Sequence, residues 1–382
     1  MKFPHANRLD QFPEYVFSKL DKLIVEVEKT SGKKVLNVGV GSPDIPPSKI
    51  YLEKLHSYIM EPTAHKYPGY GPLPEFRVAV IGWYQKRFGV SLNNDEVYQL
   101  NGAKDAISLL PLAFLNADDE VLLPDPGYQG YLGPQLLAGA KPLFYTLSDD
   151  PDQLIDLNAL ERLVTPKTKC MWLNFPSNPT GQVITLSELK RIVEFAHAHT
   201  IFLIYDNAYS EITFDGYVAP SILQIPDAKE VAVEINSFSK SHYFAGYRIG
   251  WIAGNAAIIA SLAKLKSHMD SGLSIPLQKV GAYMLTNPDT VWHTNILATY
   301  AERRQEVGNF LSHLKLEFSL PKGGLYIWAK IPTNETNVWD YCMQLLQQKN
   351  ILLTPGTAFG SNGKNYVRAS FCGNVTKIND YI

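Results

Sequence analysis

Cysteine is scarce in this 382-residue chain, and the three present, Cys170, Cys342 and Cys372, are odd in number and widely spaced. They form neither a disulfide framework nor the paired spacing of a metal site, and they point to reduced thiols in a cytoplasmic protein. An excess of one charge is also missing. Lys and Arg total 35 against 37 Asp and Glu, for a formal net charge of −2, and no polybasic run occurs. Nucleic acid is therefore offered no basic face. No segment reaches membrane-spanning length without Gly, Pro or a charge, and Met1-Lys2-Phe3-Pro4-His5 opens the chain without the apolar core of a secretion signal. Internal repeats and low-complexity linkers are absent too. Gly39-Val40-Gly41-Ser42-Pro43-Asp44 lacks the third glycine of a dinucleotide fingerprint, which argues against a nicotinamide dehydrogenase. His197 and His199, two apart in a helical stretch, fall on different faces and read as surface residues rather than metal ligands.

What is present suits a large core. At 46% hydrophobic residues the chain is long enough for two domains. Residues 13–30 read as an amphipathic helix with Val16, Leu20, Leu23 and Val27 on one side. From about Ser48 to Leu285, β/α alternation predicts a mainly parallel sheet covered by helices. Val291 to Ser312 reads as a long connecting helix, and the remainder as a small α+β unit packing with the N-terminal segment. The expected division is 1–47, 48–285 and 286–382, with residues 1–47 belonging to the small domain. Only Cys372 to Ile382 follow Phe371, so a closing helix would be short.

Several polar residues interrupt apolar runs where an open α/β sheet performs its chemistry, at the ends of strands. Lys240, in Asn236-Ser237-Phe238-Ser239-Lys240, follows the apolar stretch Val231 to Ile235. A lysine held in such a pocket loses hydration, and its neutral amine can form a Schiff base with an aldehyde. Asp206 ends the buried run Ile201 to Tyr205 and is followed by Asn207-Ala208-Tyr209. Asn178 sits in Asn174-Phe175-Pro176-Ser177-Asn178-Pro179-Thr180-Gly181, a loop stiffened by two prolines after the strand Lys169 to Leu173. Arg248 lies eight residues past Lys240 among apolar and glycine residues, and an embedded cation needs an anion. Val97 to Asn101, then Gly102-Ala103-Lys104, reads as strand, glycine turn and a helix through Leu115, whose first amides would face an anion.

In order and spacing, Asn178-Pro179-Thr180-Gly181, Asp206-Asn207-Ala208-Tyr209, Ser237-Phe238-Ser239-Lys240 with Arg248, and Val367-Arg368-Ala369-Ser370 resemble the class I/II aminotransferases of fold type I over nearly the whole chain. The resemblance implies a three-layer α/β fold with a mainly parallel seven-stranded sheet in a large domain and a small, discontinuous α+β domain. It implies pyridoxal 5′-phosphate as cofactor and a ping-pong exchange of an amino group between an α-amino acid and a 2-oxo acid. Lys240 would hold the cofactor as a Schiff base and move the substrate α-proton. Asp206 would pair with the pyridine nitrogen, and Asn178 and Tyr209 would donate to the ring's phenolic oxygen. Ala103, Lys104, Ser237, Ser239 and Arg248 would surround the phosphate, while Tyr128 would stack on the ring.

The same resemblance gives Arg368 the substrate α-carboxylate through a two-pronged contact, with Asn178 and the backbone of Gly41 nearby. His65-Lys66-Tyr67-Pro68-Gly69-Tyr70-Gly71 is similar to the loop whose tyrosine reaches the partner subunit's phosphate, so Tyr67 implies a homodimer. Lys104 points to an acidic or polar substrate side chain, such as aspartate or glutamate, a hint shared with diaminopimelate aminotransferases. Neighbouring cystathionine-type carbon–sulfur lyases use the same lysine and cofactor. A cofactor-binding sensor or regulatory domain would need an added DNA-binding module, and this chain begins with the catalytic fold.

Overall fold

A computed structural model of the chain describes residues 3–12, 14–148, 150, 153–333, 335, 337–375 and 378–381. After the two-residue strand β1 (Leu36–Asn37), a seven-stranded sheet takes up β2 (Val97–Leu100), β3 (Glu120–Asp125), β4 (Lys141–Thr146), β5 (Thr168–Asn174), β6 (Phe202–Asp206), β7 (Ala232–Ser237) and β8 (Gly250–Gly254). The spatial order is β2-β8-β7-β6-β5-β3-β4. Only β8 runs against its neighbours β2 and β7, so the sheet is mainly parallel, as expected.

The central strands are buried on both faces, which is why they read as unbroken apolar runs. In β5, Met171 and Leu173 join one hydrophobic core while Cys170 and Trp172 join another; in β6, Leu203 and Tyr205 face the first and Ile204 the second. Helices cover both sides, giving three layers. Among the described residues no helix is long and apolar enough to cross a membrane.

A smaller antiparallel sheet contains β9 (Glu317–Phe318), β10 (Tyr326–Lys330), β12 (Thr354–Pro355) and β13 (Tyr366–Ser370), in the order β12-β13-β10-β9. β11 (Ile351–Leu352) pairs in parallel with β1. This region has a third core, which includes Ile327, Ala329, Val367 and Phe371. The helix leading to it spans Thr290–His313, one residue longer at each end than the expected Val291 to Ser312.

The first helix begins later than predicted, at Val16, and runs to Ser31. Pro13 lies outside the described residues; Tyr15 is extended, and Tyr15 and Phe17 both line the central cavity. At its other end Gly32 adopts φ 68°, the left-handed conformation that terminates helices cheaply. The closing element is a single 3₁₀ turn at Ile378–Tyr381. His197 and His199 are half-buried rather than fully exposed: His199 Nε2 lies 2.7 Å from a Glu161 carboxylate oxygen, and His197 Nε2 lies 3.3 Å from the Asp227 carbonyl.

Candidate active site

Strand register brings the chemistry together. Asn174 and Asp206 are direct partners at the ends of parallel β5 and β6. Because β8 is antiparallel, its first residue, Gly250, pairs with both Leu100 and Ser237, the last residues of β2 and β7. The turn after β2, the Lys240 segment after β7 and Arg248 just before β8 thus meet at one edge. There a cavity of about 450 Å³ opens, lined by every site residue expected from sequence except Tyr67. The Tyr67 side chain is 86% exposed and stands apart from this cavity.

At the floor, Asp206 Oδ2 accepts from the Tyr131 hydroxyl at 2.7 Å and Oδ1 from the Ala208 amide at 3.3 Å. Burial lifts the Asp206 carboxyl to about 6, against the lowering effect of those two hydrogen bonds. Tyr131 itself stacks on Trp172 with centroids 4.8 Å apart. Tyr209 places its hydroxyl 3.2 Å from that of Tyr326, and burial raises the Tyr209 phenol well above its usual range. Asn174 Oδ1 accepts from the Asn178 amide at 2.8 Å, fixing the proline-stiffened loop.

At one end, Gly102 has φ 80° and begins the helix Ala103–Phe114. A Cβ on Gly102 would lie 2.4 Å from Arg248 Nη2, so only glycine lets the guanidinium close over this turn. Arg248, at φ 59°, is exposed rather than embedded, and from the cavity wall it donates to Ala245 O at 2.8 Å and to the Ser239 hydroxyl at 3.4 Å. Among the described residues no carboxylate pairs with it. Ser237 caps the Lys240 turn by accepting from the Ser239 amide at 3.1 Å. First-turn amides, two hydroxyls and a guanidinium suit an anion.

Beneath that turn lies a network that the sequence did not reveal. Lys266, 1% exposed, donates to Asp105 at 2.6 Å and also to Asp270. Asp105 accepts from the Asn101 amide at 2.9 Å, and Asp270 from the Asn101 side chain at 2.9 Å. The cradle is thus anchored from below.

Lys240 is half-buried, and its amine donates to the Gly41 carbonyl at 3.0 Å. Gly41 is required there because a Cβ would lie 2.1 Å from the Tyr326 hydroxyl. Above them Arg368 is 2% exposed, donating to Asn178 Oδ1 at 2.9 Å and Gly39 O at 2.7 Å, while its Nε has no partner. Tyr326, Phe359 and Phe17 surround its guanidinium carbon at 4.2, 4.5 and 5.3 Å. A buried cation walled by aromatic rings and without a carboxylate is set up to take one from a ligand.

The sequence pattern of the aminotransferase class I and II family matches residues 33–381. The chain belongs to that family. It is similar to LL-diaminopimelate aminotransferases of Dehalococcoides mccartyi (38% identity, 96% of this chain and 94% of the relative) and Desulforudis audaxviator (37%, 97% and 94%). Its fold matches substrate-bound BacF of Bacillus subtilis at TM-score 0.92 and 31% identity, covering 100% of this chain and 96% of that one.

This aminotransferase is a transaminase whose cofactor is pyridoxal 5′-phosphate. The cavity fits that group in its own chemistry: an anion cradle at Gly102 to Lys104 and Arg248, an amine at Lys240, and Asp206 as the single carboxylate among the described lining residues. Of the aminotransferase's lining side chains, Tyr131, Tyr326, Tyr15 and Phe17 escaped sequence reading. Tyr131, three residues past Tyr128, had no local signal beyond its aromaticity. Tyr326 follows Gly323-Gly324-Leu325, a glycine pair that marks a close backbone approach.

Proposed function

We propose that this transaminase takes the amino group from an α-amino acid with an acidic or polar side chain and delivers it to a 2-oxo acid. Pyridoxal phosphate supplies the aldehyde and the electron-accepting ring. Arg248, the Ser237 and Ser239 hydroxyls and the Ala103 and Lys104 amides hold its phosphate; Asp206 provides the counter-charge to the ring nitrogen; Tyr128 stacks on the ring; Asn178 and Tyr209 donate to its oxygen. Arg368, with Asn178 and the Gly41 backbone, orients the substrate through its α-carboxylate. Lys240 Nζ then carries the proton off the substrate Cα.

Charge accounting carries the substrate reading. Among the described residues four cations line the cavity, Lys104, Lys240, Arg248 and Arg368, against one carboxylate, Asp206. Lys240 serves the chemistry, Arg248 the phosphate and Arg368 the α-carboxylate. Lys104 remains, exposed at the mouth, for a distal acid. LL-diaminopimelate, named for the relatives, also carries a distal carboxylate and is the second reading. An amino-donor panel tests both, with 2-oxoglutarate as acceptor for every donor except glutamate, which is paired with oxaloacetate because its exchange with 2-oxoglutarate regenerates the same pair. Aspartate or glutamate should lead; diaminopimelate in the lead supports the second reading, and alanine or phenylalanine in the lead overturns both.

We further propose a homodimer, with Tyr67 serving the partner's cavity. Its exposure beside exposed Tyr70, Met60 and Ile59 supports this reading. The domain division at 47 and 285 is supported by the pairing of Leu36 with Ile351, which ties the N-terminal segment to the C-terminal one. Three buried, unpaired thiols support a cytoplasmic location.

A further inference from the structure

Asp125 ends β3, three residues before Tyr128, and is 4% exposed. Asp125 is not among the residues that line the cavity, and its carboxylate is engaged by the segment that follows Phe359. Oδ2 accepts from the Ser361 amide at 3.1 Å and the Ser361 hydroxyl at 2.7 Å, and Oδ1 accepts from the Asn362 amide at 3.1 Å. The contact is reciprocated. Asn362 Nδ2 donates to the Asp125 carbonyl at 3.2 Å and to the Thr146 hydroxyl at 3.0 Å, and the Gly127 amide donates to the Phe359 carbonyl at 2.8 Å. Gly360, at φ 135°, lies beneath the carboxylate, where a Cβ would come within 2.0 Å of Asp125 Oδ1.

The two ends of this joint lead to opposite walls of the cavity. On one side, Tyr128 stands edge-on to Tyr131 at 5.4 Å, and Tyr131 donates to Asp206. On the other, Phe359 packs 4.5 Å from the Arg368 guanidinium carbon and edge-on to Phe17 at 6.4 Å. The larger sheet carries the first wall and the smaller sheet carries Arg368. An ionised carboxylate is acceptor-only, which is what three converging donors require. An amide would turn its own NH₂ against at least one of them.

We propose that Asp125 is a positioning residue for substrate binding: by clamping residues 359–362 to the end of β3, it sets the distance between the wall formed by Tyr128 and Arg368. It touches neither cofactor nor substrate and acts through Phe359 and Tyr128. The clamp sets affinity for the amino acid's carboxylate and leaves the proton-transfer groups alone. The inference rests on Arg368 receiving that carboxylate.

The test compares Asp125→Asn, Gly360→Ala, their combination and Arg368→Lys as holoenzymes. Steady-state kinetics for the amino donor are measured together with the visible absorption band and its pH titration. Asp125→Asn should raise donor KM about tenfold, the scale of one lost hydrogen bond to a charged group, with a smaller change in kcat. The band and its titration should stay as in the parent. Gly360→Ala should act in the same direction, and the double variant should be little worse than the worse single, since both open one joint. Should Asp125→Asn fail to fold, Ser361→Ala removes only the hydroxyl donor and should still raise KM about threefold. Unchanged KM in the folded clamp variants, multiplicative effects in the double, or a loss confined to kcat with an altered band overturns the proposal. If Arg368→Lys leaves KM unchanged, the carboxylate assignment itself has failed. If Arg368→Lys raises KM while Asp125→Asn and Gly360→Ala do not, only the clamp has failed.

Discussion

The Tyr131 hydroxyl donates to Asp206 across 2.7 Å, and this bond opposes the burial that lifts the Asp206 carboxyl to about 6. Its consequence is pH-dependent. In the apoenzyme the folded chain retains the Asp206 proton up to about 6, whereas the unfolded chain releases it near the ordinary aspartate value of 3.8. The native state therefore binds more protons in that window, and stability falls as pH rises through it. The loss is on the order of 3 kcal/mol, since each tenfold change in proton affinity is worth about 1.4 kcal/mol. Urea titrations of the apoenzyme from pH 4 to 7 should show this component, and Asp206→Asn should remove it. Tyr131→Phe takes away a bond to the charged form, so it should move the folded titration upward and the pH onset of cofactor binding with it. An unmoved onset would remove Tyr131 from this role.

Lys240→Ala should abolish turnover while leaving the unfolding transition close to the parent's, because the half-buried side chain gives up one hydrogen bond, to Gly41 O. Borohydride treatment of the holoenzyme followed by peptide mapping should find cofactor on Lys240. Label on another lysine would reassign the amine.

Lys104→Met should raise KM for aspartate or glutamate by about tenfold or more while sparing alanine, since a hydrogen bond to a charged group contributes about 1.5 to 3 kcal/mol. Equal loss for acidic donors and alanine would leave Lys104 to the phosphate alone.

Lys266→Met leaves Asp105 and Asp270 without their shared cation. Destabilisation on the order of 3 kcal/mol is expected from the uncompensated buried charge, together with weaker cofactor binding as the turn above loosens. Chemical denaturation and cofactor titration measure the two effects. Adding Asp105→Asn and Asp270→Asn should recover part of the stability.

Sedimentation should find a dimer, and Tyr67→Phe should weaken cofactor binding without dissociating it. A fully active monomer would contradict the shared-site arrangement.

Much of the site could be read from sequence because its residues follow buried strands. Asp206 and Lys240 interrupt or follow apolar runs that form β6 and β7, and a strand end fixes where the next side chain goes. Arg368 was legible for a related reason, as a cation within an otherwise apolar strand. Lys266 was not, because its helix, Ala256–Lys266, gives no local sign that Asp105 and Asp270 converge on it. Asp125 likewise belongs with Ser361 only through folding. Arg248 was anticipated as embedded and proved exposed, since Gly246 and Tyr247 before it also lie at the surface and apolar or glycine neighbours in sequence do not by themselves bury a segment.

The reversed direction of β8 constrains how this chain can vary in length. Gly250 is hydrogen-bonded into register with Leu100 and Ser237 at once, so residues 238–249 form a connection pinned at both ends. Adding or deleting one residue there would either slip β8 and exchange the faces of Trp251 and Ile252 or shift Arg248 away from Gly102. Those two β8 side chains belong to opposite cores. Indels that retain activity should therefore be excluded from this connection, even though Gly246 and Tyr247 within it are exposed to solvent.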